Sequence, residues 1–348
     1  MIAAGEQRTA CSPARIHPLA KRRAAVLISG AVLLVIAAAV SLMVGSVSFT
    51  FSEIMNGLLN ADDSLERRIV WELRLPRLLI GLIIGMCLAA SGSILQGIMR
   101  NPLADPGIIG VSSGAGLAAT IIMIIYPAYI MLLPAAAFLG ALITALVIYA
   151  MSWKGGASPV RIILVGVAVN AVIGAAMSAL MLLYSDRVQS VLPWLAGGIA
   201  GAGWVQLGSI IWYALAALVL SVFAIPHIRI LRLGDEVAKL LGHKVERSRF
   251  YLIILSTLLA GIAVSVAGLI GFVGLVVPHI MRSLVGGDHR YLLPASAIGG
   301  ALLVITADTV ARTAFNPIEL PVGILLSFLG GPFFLYLIQK RRGSFADS

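Results

Sequence analysis

An all-helical chain that crosses a lipid bilayer about ten times is the fold class this sequence predicts, and three observations predict it. The 348 residues are 60% hydrophobic and only 11% charged, with a mean hydropathy of +1.02. A soluble domain needs far more polar surface than this, whereas lipid solvates an apolar exterior. The apolar residues also fall into long stretches, each near the ~20 residues that a helical span requires. Most of the 25 Lys and Arg residues gather in alternate gaps between those stretches, as the charge bias of membrane loops demands.

The first apolar run, about Ala24 to Val44, follows a basic tail and resembles a signal peptide at its front edge. It is longer than a typical cleaved apolar region and long enough to span. It is therefore read as a retained first helix, with cleavage after Ala37-Ala38-Ala39 as the minor alternative. Further spans are expected at roughly 75–98, 108–126, 129–151, 161–183, 204–224, 252–268, 269–286, 294–312 and 321–339. An even number of spans returns the chain to its starting side, in agreement with basic tails at both ends. The expected organisation is a tail over 1–23, a membrane domain over 24–340 and a tail over 341–348. Gly268, Gly271 and Gly274 interrupt one apolar run ahead of Pro278, which marks either a tight outer turn or a broken helix. Gly81 with Gly85, and Gly110 with Gly114, are small-xxx-small pairs best explained by close helix packing. The outer loop 47–74 reads as amphiphilic and partly acidic, with Glu53, Asp62, Asp63, Glu66 and Glu72.

Nineteen of the cations lie on one side of this topology, which the loop bias assigns to the cytoplasm. Six break the pattern: Arg67, Arg68, Arg74, Arg77, Arg187 and Arg312. The net charge of +10 is the sum of loop charge; no compact basic domain exists to grip nucleic acid. Cys11 and Cys87 differ in membrane depth, so neither a disulfide nor a structural zinc site is expected. Glycine precedes none of the lysines, so there is no phosphate loop, and no His-Glu-x-x-His occurs. With these signatures absent, the chain is not read as an enzyme.

Arg74-Leu-Pro-Arg77 opens the second span. Its proline suits a first helical turn, and its two cations flank the positive end of a helix. Arg312 ends the ninth span on the same outer side. The three are either interfacial anchors or a docking site for acidic groups, and the cost of arginine in lipid favours docking. Asp308 lies four residues before Arg312, so a local pair between them is expected. His279 reads as a packed, hydrogen-bonded histidine. Arg100-Asn-Pro-Leu-Ala-Asp-Pro-Gly107 is a rigid inner link, shaped by two prolines. Within the inner loop 225–251, Gly234 and Asp235 open a short amphipathic helix and Gly242 closes it. Its stripe of Val237, Leu240 and Leu241 suits either a groove on a partner or the lipid surface.

Several of these stretches together resemble a known family. They are Leu73-Arg-Leu-Pro-Arg77, Ser91-Gly-x-x-Leu-Gln96-Gly, Asn101-Pro-Leu-Ala-Asp-Pro-Gly107 and Gly110-Val-Ser-Ser-Gly-Ala-Gly116, then Gly268-Leu-Ile-Gly-Phe-Val-Gly-Leu-Val-Val-Pro-His279, Asp288-His-Arg290, Ala307-Asp-Thr-Val-Ala-Arg312 and Glu319-Leu-Pro-Val-Gly323. From about residue 30 to 340 the chain is similar to the iron–siderophore and vitamin B12 importer permeases of the ATP-binding-cassette class, the FecCD/BtuC type. The resemblance implies a BtuC-like, type II importer fold with an inverted repeat of helices two to five and seven to ten. It implies a dimeric pore with a second permease subunit, identical or similar, in a bacterial inner membrane with both termini cytoplasmic. Further implied partners are cytoplasmic ATP-binding subunits and an extracytoplasmic substrate-binding lipoprotein. The chain itself would bind no cofactor, and ATP would be used by the partner subunits. Arg74, Arg77 and Arg312 would meet glutamates of the binding protein. Asn101, Leu103, Ser158, Pro159 and Val160 would form the cytoplasmic gate. Asp235, Glu236, Leu240, Leu241, Gly242 and His243, within a coupling segment at about 234–250, would engage the ATPase. The implied cargo is an iron chelate, first a ferric siderophore, with haem and cobalamin as alternatives. An ion-coupled secondary transporter is the rival from another class, and it requires several intramembrane acids or bases; Asp308 and His279 are the candidates.

Overall fold

The structure, a computed structural model, describes residues 18–45, 47–59, 64–153, 156, 158–314 and 318–346. The expectations that fall on Cys11, Asp62, Asp63 and most of the 1–23 tail lie outside the described residues. Helices α1 (Pro18–Met43), α2 (Phe51–Leu59), α3 (Leu65–Arg67) and α4 (Leu75–Ile98) come first, and one wide turn over Arg68–Arg74 runs straight into α4. Then follow α5 (Val111–Ile124), α6 (Leu133–Met151), α7 (Pro159–Leu183), α8 (Val188–Ala196) and α9 (Trp204–Leu231). The last are α10 (Asp235–Leu240), α11 (Val245–Ala267), α12 (Val273–Val285), α13 (His289–Thr313) and α14 (Val322–Ala346). The ten expected spans correspond to α1, α4, α5, α6, α7, α9 and α11 to α14. Seven of the helices are long and apolar enough to cross a bilayer, and α5, α12 and α14 supply shorter apolar segments.

Helix α4 is the axis of the bundle. Nineteen of its 24 residues are buried, as a helix apolar on every side should be. It packs on α13, α11, α12 and α9. Glycine sets the closest crossings, because a Cβ at Gly85 would strike the Gly300 carbonyl of α13 and one at Gly92 the Gly274 carbonyl of α12. Gly114 and Gly140 bring α5 and α6 together in the same way. In lipid nothing hydrophobic drives helices together, so close backbone contact and dispersion must do it. Helices α1 and α7 bury little of their length.

The interrupted run at 268–272 is a tight turn between two helices, since the start of α11 and the end of α12 both lie at the basic end, and tertiary contacts shape it. Gly268 (φ 66°) lies against the Trp194 carbonyl, and Gly197 (φ 71°) lies against that of Leu269. The Gly198 amide donates to Ala267 at 2.7 Å, and the Gly323 amide donates to Gly197 at 2.9 Å. Three backbones therefore meet where side chains would not fit. Helix α12 starts after Phe272, whose own φ is 66°. As a result α12 has only 13 residues, and α5, which follows Gly110 (φ 80°), has only 14. At 1.5 Å per residue each covers roughly 20 Å of a ~30 Å hydrocarbon layer. They hold the same second place in the groups α4–α7 and α11–α14, as an inverted repeat requires.

Two loops shrink relative to expectation. Segment 47–74 carries α2, α3 and the wide turn, because Phe49, Ile54 and Val70 form a small apolar core of their own. Segment 225–251 is mostly helix, since α9 runs to Leu231 and α11 starts at Val245. Helix α8 is an additional element, absent from the expected set.

Candidate functional site

Polar side chains concentrate at the two ends of the bundle. At the end where α4 begins, here the far end, Arg74, Arg77 and Arg312 come together. Arg74, 6% exposed, donates to the carbonyls of Leu42, Met43 and Val47 and stacks over the Phe49 ring at 4.9 Å. Arg312, 8% exposed, donates to the Ser41 carbonyl and hydroxyl. Both therefore close the C-terminus of α1, whose last carbonyls lack partners within the helix and attract cations. Arg187 does the same for α5, donating to Ile124 at 2.5 Å.

Arg77 is bound differently. Its Nε and Nη2 grip Asp308 at 3.0 and 2.9 Å, and its Nη1 donates to Glu319 at 2.9 Å. This corrects the expected Asp308–Arg312 pair. The α4–α13 crossing carries Arg77 onto the carboxylate, while Arg312 turns to Ser41. Nearby, exposed Glu53 accepts from the Thr50 amide at 2.7 Å and the Thr50 hydroxyl at 2.9 Å, which hold its carboxyl below the usual range.

At the opposite, basic end, α10 forms where Gly234 and Asp235 open it. Gly242 (φ 76°) closes it in the left-handed conformation that favours glycine. Ala238 is its one buried residue among the six of the helix. Leu240 is 88% and Leu241 66% exposed, and Glu236 also faces outward. His243 Nε2 lies 2.9 Å from Ser248 Oγ, and the His243 amide donates to Ala238 at 3.0 Å. Asp235 is held by Arg249 of α11. Arg22 and Arg23 donate to Ser283 and Val285 at 3.1 and 3.0 Å, capping the end of α12.

The proposed gate residues fall into two separate links. Asn101 Oδ1 accepts from the Leu103 amide at 2.9 Å and shapes the turn that Pro102 demands. Ser158 caps α7 by accepting from the Arg161 amide at 3.3 Å, Pro159 fills its first turn, and Val160 is 66% exposed. The structure gives no direct bond between the 101–103 and 158–160 groups. Asp105 accepts from the Gly107 amide at 2.8 Å and borders a small cavity with Leu88, Ser112, Ala260 and Gly274. Burial outweighs the Gly107 bond and holds its carboxyl above the usual range.

Three polar residues were given no role of their own from sequence, although Gln96 lies in one of the quoted motifs. Asn170 of α7 donates to Gly107 at 3.0 Å and accepts from Ser113 at 2.6 Å, tying α7 to the link ahead of α5. Gln96 of α4 donates to Gly274 and Leu275 at 3.3 and 3.2 Å and accepts from Arg282 at 3.0 Å. Arg249 was counted only as loop charge, yet it is 1% exposed. Asn170 and Gln96 are lone amides in apolar runs, and that was a usable signal. Gly110-Val-Ser-Ser-Gly114 also spells Gly-x-Ser-x-Gly. A nucleophile elbow needs a strand before its serine, and here a 3₁₀ turn over Pro106–Ile109 precedes it. Among the described residues no group of three or more His, Cys, Asp or Glu is placed to hold a metal.

Comparison with known proteins places this geometry. The chain is 41% identical over 318 residues to a hemin transport system permease protein, HmuU of Yersinia pestis, covering 89% of this chain and 94% of that one. It is 39% identical over 310 residues to an Fe(3+)-citrate import system permease protein, YfmE of Bacillus subtilis, covering 89% and 93%. A solved metal-chelate type ABC transporter in an inward-facing conformation superposes with a TM-score of 0.82 at 32% identity, covering 91% of this chain and 99% of that one. The profile of the FecCD transport family matches residues 33–340. Sequence and fold agree from α1 to α14: the chain belongs to the FecCD transport family.

Proposed function

We propose that this chain is the permease subunit of a binding-protein-dependent importer that carries ferric siderophores. The observation that carries the reading is α10, a six-residue helix whose last residue, Leu240, and the following Leu241 project exposed from the basic end. Apolar side chains that stand in water at a helix tip suit a groove on a partner. We assign that partner to ATP-hydrolysing subunits and the basic end, with both termini, to the cytoplasm of a bacterial cell. The relatives named for hemin and ferric citrate support an iron chelate as cargo. Membership of the family supports a second permease subunit as a further partner. Asn101, Leu103, Ser158, Pro159 and Val160 are assigned to the inner gate.

Docking of an extracytoplasmic lipoprotein is assigned to the far end, at Arg74, Arg77 and Arg312. Arg74 and Arg312 already serve α1, so Arg77 is the contact within reach. An incoming carboxylate would replace Glu319, which is 40% exposed on its side chain. The Arg77–Asp308 pair also weighs against the ion-coupled alternative, because it occupies the acid that such a transporter would use.

The test is uptake of labelled ferric hydroxamate, ferric citrate, haem and cobalamin in cells lacking this chain. Loss of ferric hydroxamate uptake alone is expected; loss of haem or cobalamin uptake reassigns the cargo, and no loss of any removes the reading. Orientation is tested with single cysteines at Leu240 and Ile318, both well exposed. Leu240 should label only from the cytosol and Ile318 only from outside.

A further inference from the structure

We propose that Arg249 transmits movement of α10 to the two links that begin α5 and α7. This inference rests on the reading that α10 contacts the ATPase. The Arg249 side chain is 2% exposed, and its Nη2 lies 2.8 Å from both Asp235 oxygens. Its Nη1 donates to Glu246 Oε1 at 3.3 Å. Each acid also reaches one link. Asp235 Oδ1 is 3.7 Å from Arg100 Nη2, and a Cβ on Gly234 would sit 3.4 Å from Arg100 Nη1. Arg100 adjoins Asn101 and has φ 49°, an unusual conformation for a residue with a Cβ. On the other side, a Cβ on Gly156 would lie 2.7 Å from Glu246 Oε1, and Gly156 (φ 127°) stands two residues before the Ser158 cap of α7.

The physics favours transmission over simple anchoring. Helix α10 buries Ala238 alone, so apolar packing holds it weakly. A planar guanidinium fixes the direction of its partners, and a buried charge resists losing them. Movement of α10 therefore carries Asp235, and Asp235 carries Arg249 and Arg100 with it. The 100–110 link, in turn, is pinned to α7 by Asn170.

The experiment uses the full complex, permease with its ATPase subunits, reconstituted in vesicles. A cysteine at Val160 reports the link through its maleimide reaction rate, without nucleotide and with ATP trapped by vanadate. The unmodified network should change that rate by about tenfold on trapping. In Glu246→Gln and Arg249→Lys, ATP hydrolysis should continue while the change at Val160 falls below about twofold. A merely structural role would instead lower assembly and hydrolysis together. Should Arg249→Lys fail to assemble, Glu246→Gln decides, because its carboxylate is 31% exposed. Failure of Glu246→Gln to assemble, an unaltered response in both variants, or no response at Val160 in the parent complex overturns the proposal. Leu240→Asp separates the two readings. If it keeps the ATPase subunits bound, the α10 contact is wrong; if it loses them while Glu246→Gln responds normally, only the transmission role fails.

Discussion

Arg77 and Arg249 each hold two carboxylates, at opposite ends of one bundle, and the difference between them is instructive. Arg77 is 14% exposed and joins a sequestered acid, Asp308 at 6%, to an open one, Glu319 at 40%. Arg249 is 2% exposed and joins two half-open acids, Asp235 and Glu246, each at 31%. At the far end, then, the deep partner is an acid inside a spanning helix, and the cluster reinforces the α4–α13 crossing that Gly85 and Gly300 already make close. At the basic end the deep partner is the arginine itself, and the cluster ties a short surface helix to the bundle. Similar chemistry serves a permanent joint in one place and a movable one in the other.

The comparison breaks most decisively on removal of each arginine. Arg77→Met strands Asp308 in a buried site and should cost about 3–5 kcal/mol of stability. Arg249→Met leaves acids that water can reach and should cost about 1–3 kcal/mol. Thermal unfolding of the two variants in detergent reads the order, and a larger loss at Arg249 would invert the assignment of joints. An effect of similar size is expected at Gly156→Ala, where the positive φ and the approach of Glu246 oppose a Cβ, at about 1–3 kcal/mol. Unchanged melting there would show that the link is free of the basic cluster. The smallest effect belongs to Glu319→Gln, since exposed pairs contribute about 1 kcal/mol or less. Its informative readout is binding of the proposed extracytoplasmic lipoprotein, which should tighten if Glu319 competes for Arg77 and stay constant if it does not.

Much of the scaffold was legible because lipid simplifies the code. A span needs only length and apolar character, so 75–98 matches α4 to the residue and 161–183 falls within α7. Amphipathic α10 was legible from Gly234, Asp235 and Gly242, residues whose backbone roles are local. The 47–74 helices were missed because their stability comes from Phe49, Ile54 and Val70 packing on one another. Asp308 was assigned to the wrong arginine because sequence proximity, four residues, carries no information about which helix crosses at that height. Burial of Arg249 was hidden for a similar reason, since a cation in a basic loop has the same letter whether it faces water or protein.

The sequence alone determined the class, the number of spans, the charge asymmetry and the family, all of which depend on composition or on contiguous motifs. Tertiary structure alone decided which arginine meets which acid, where the 268–272 run breaks, and that Arg74 and Arg312 close α1. Those outcomes turn on contacts between residues far apart in the chain, and such contacts exist only once glycine-lined crossings have set the helices at fixed heights.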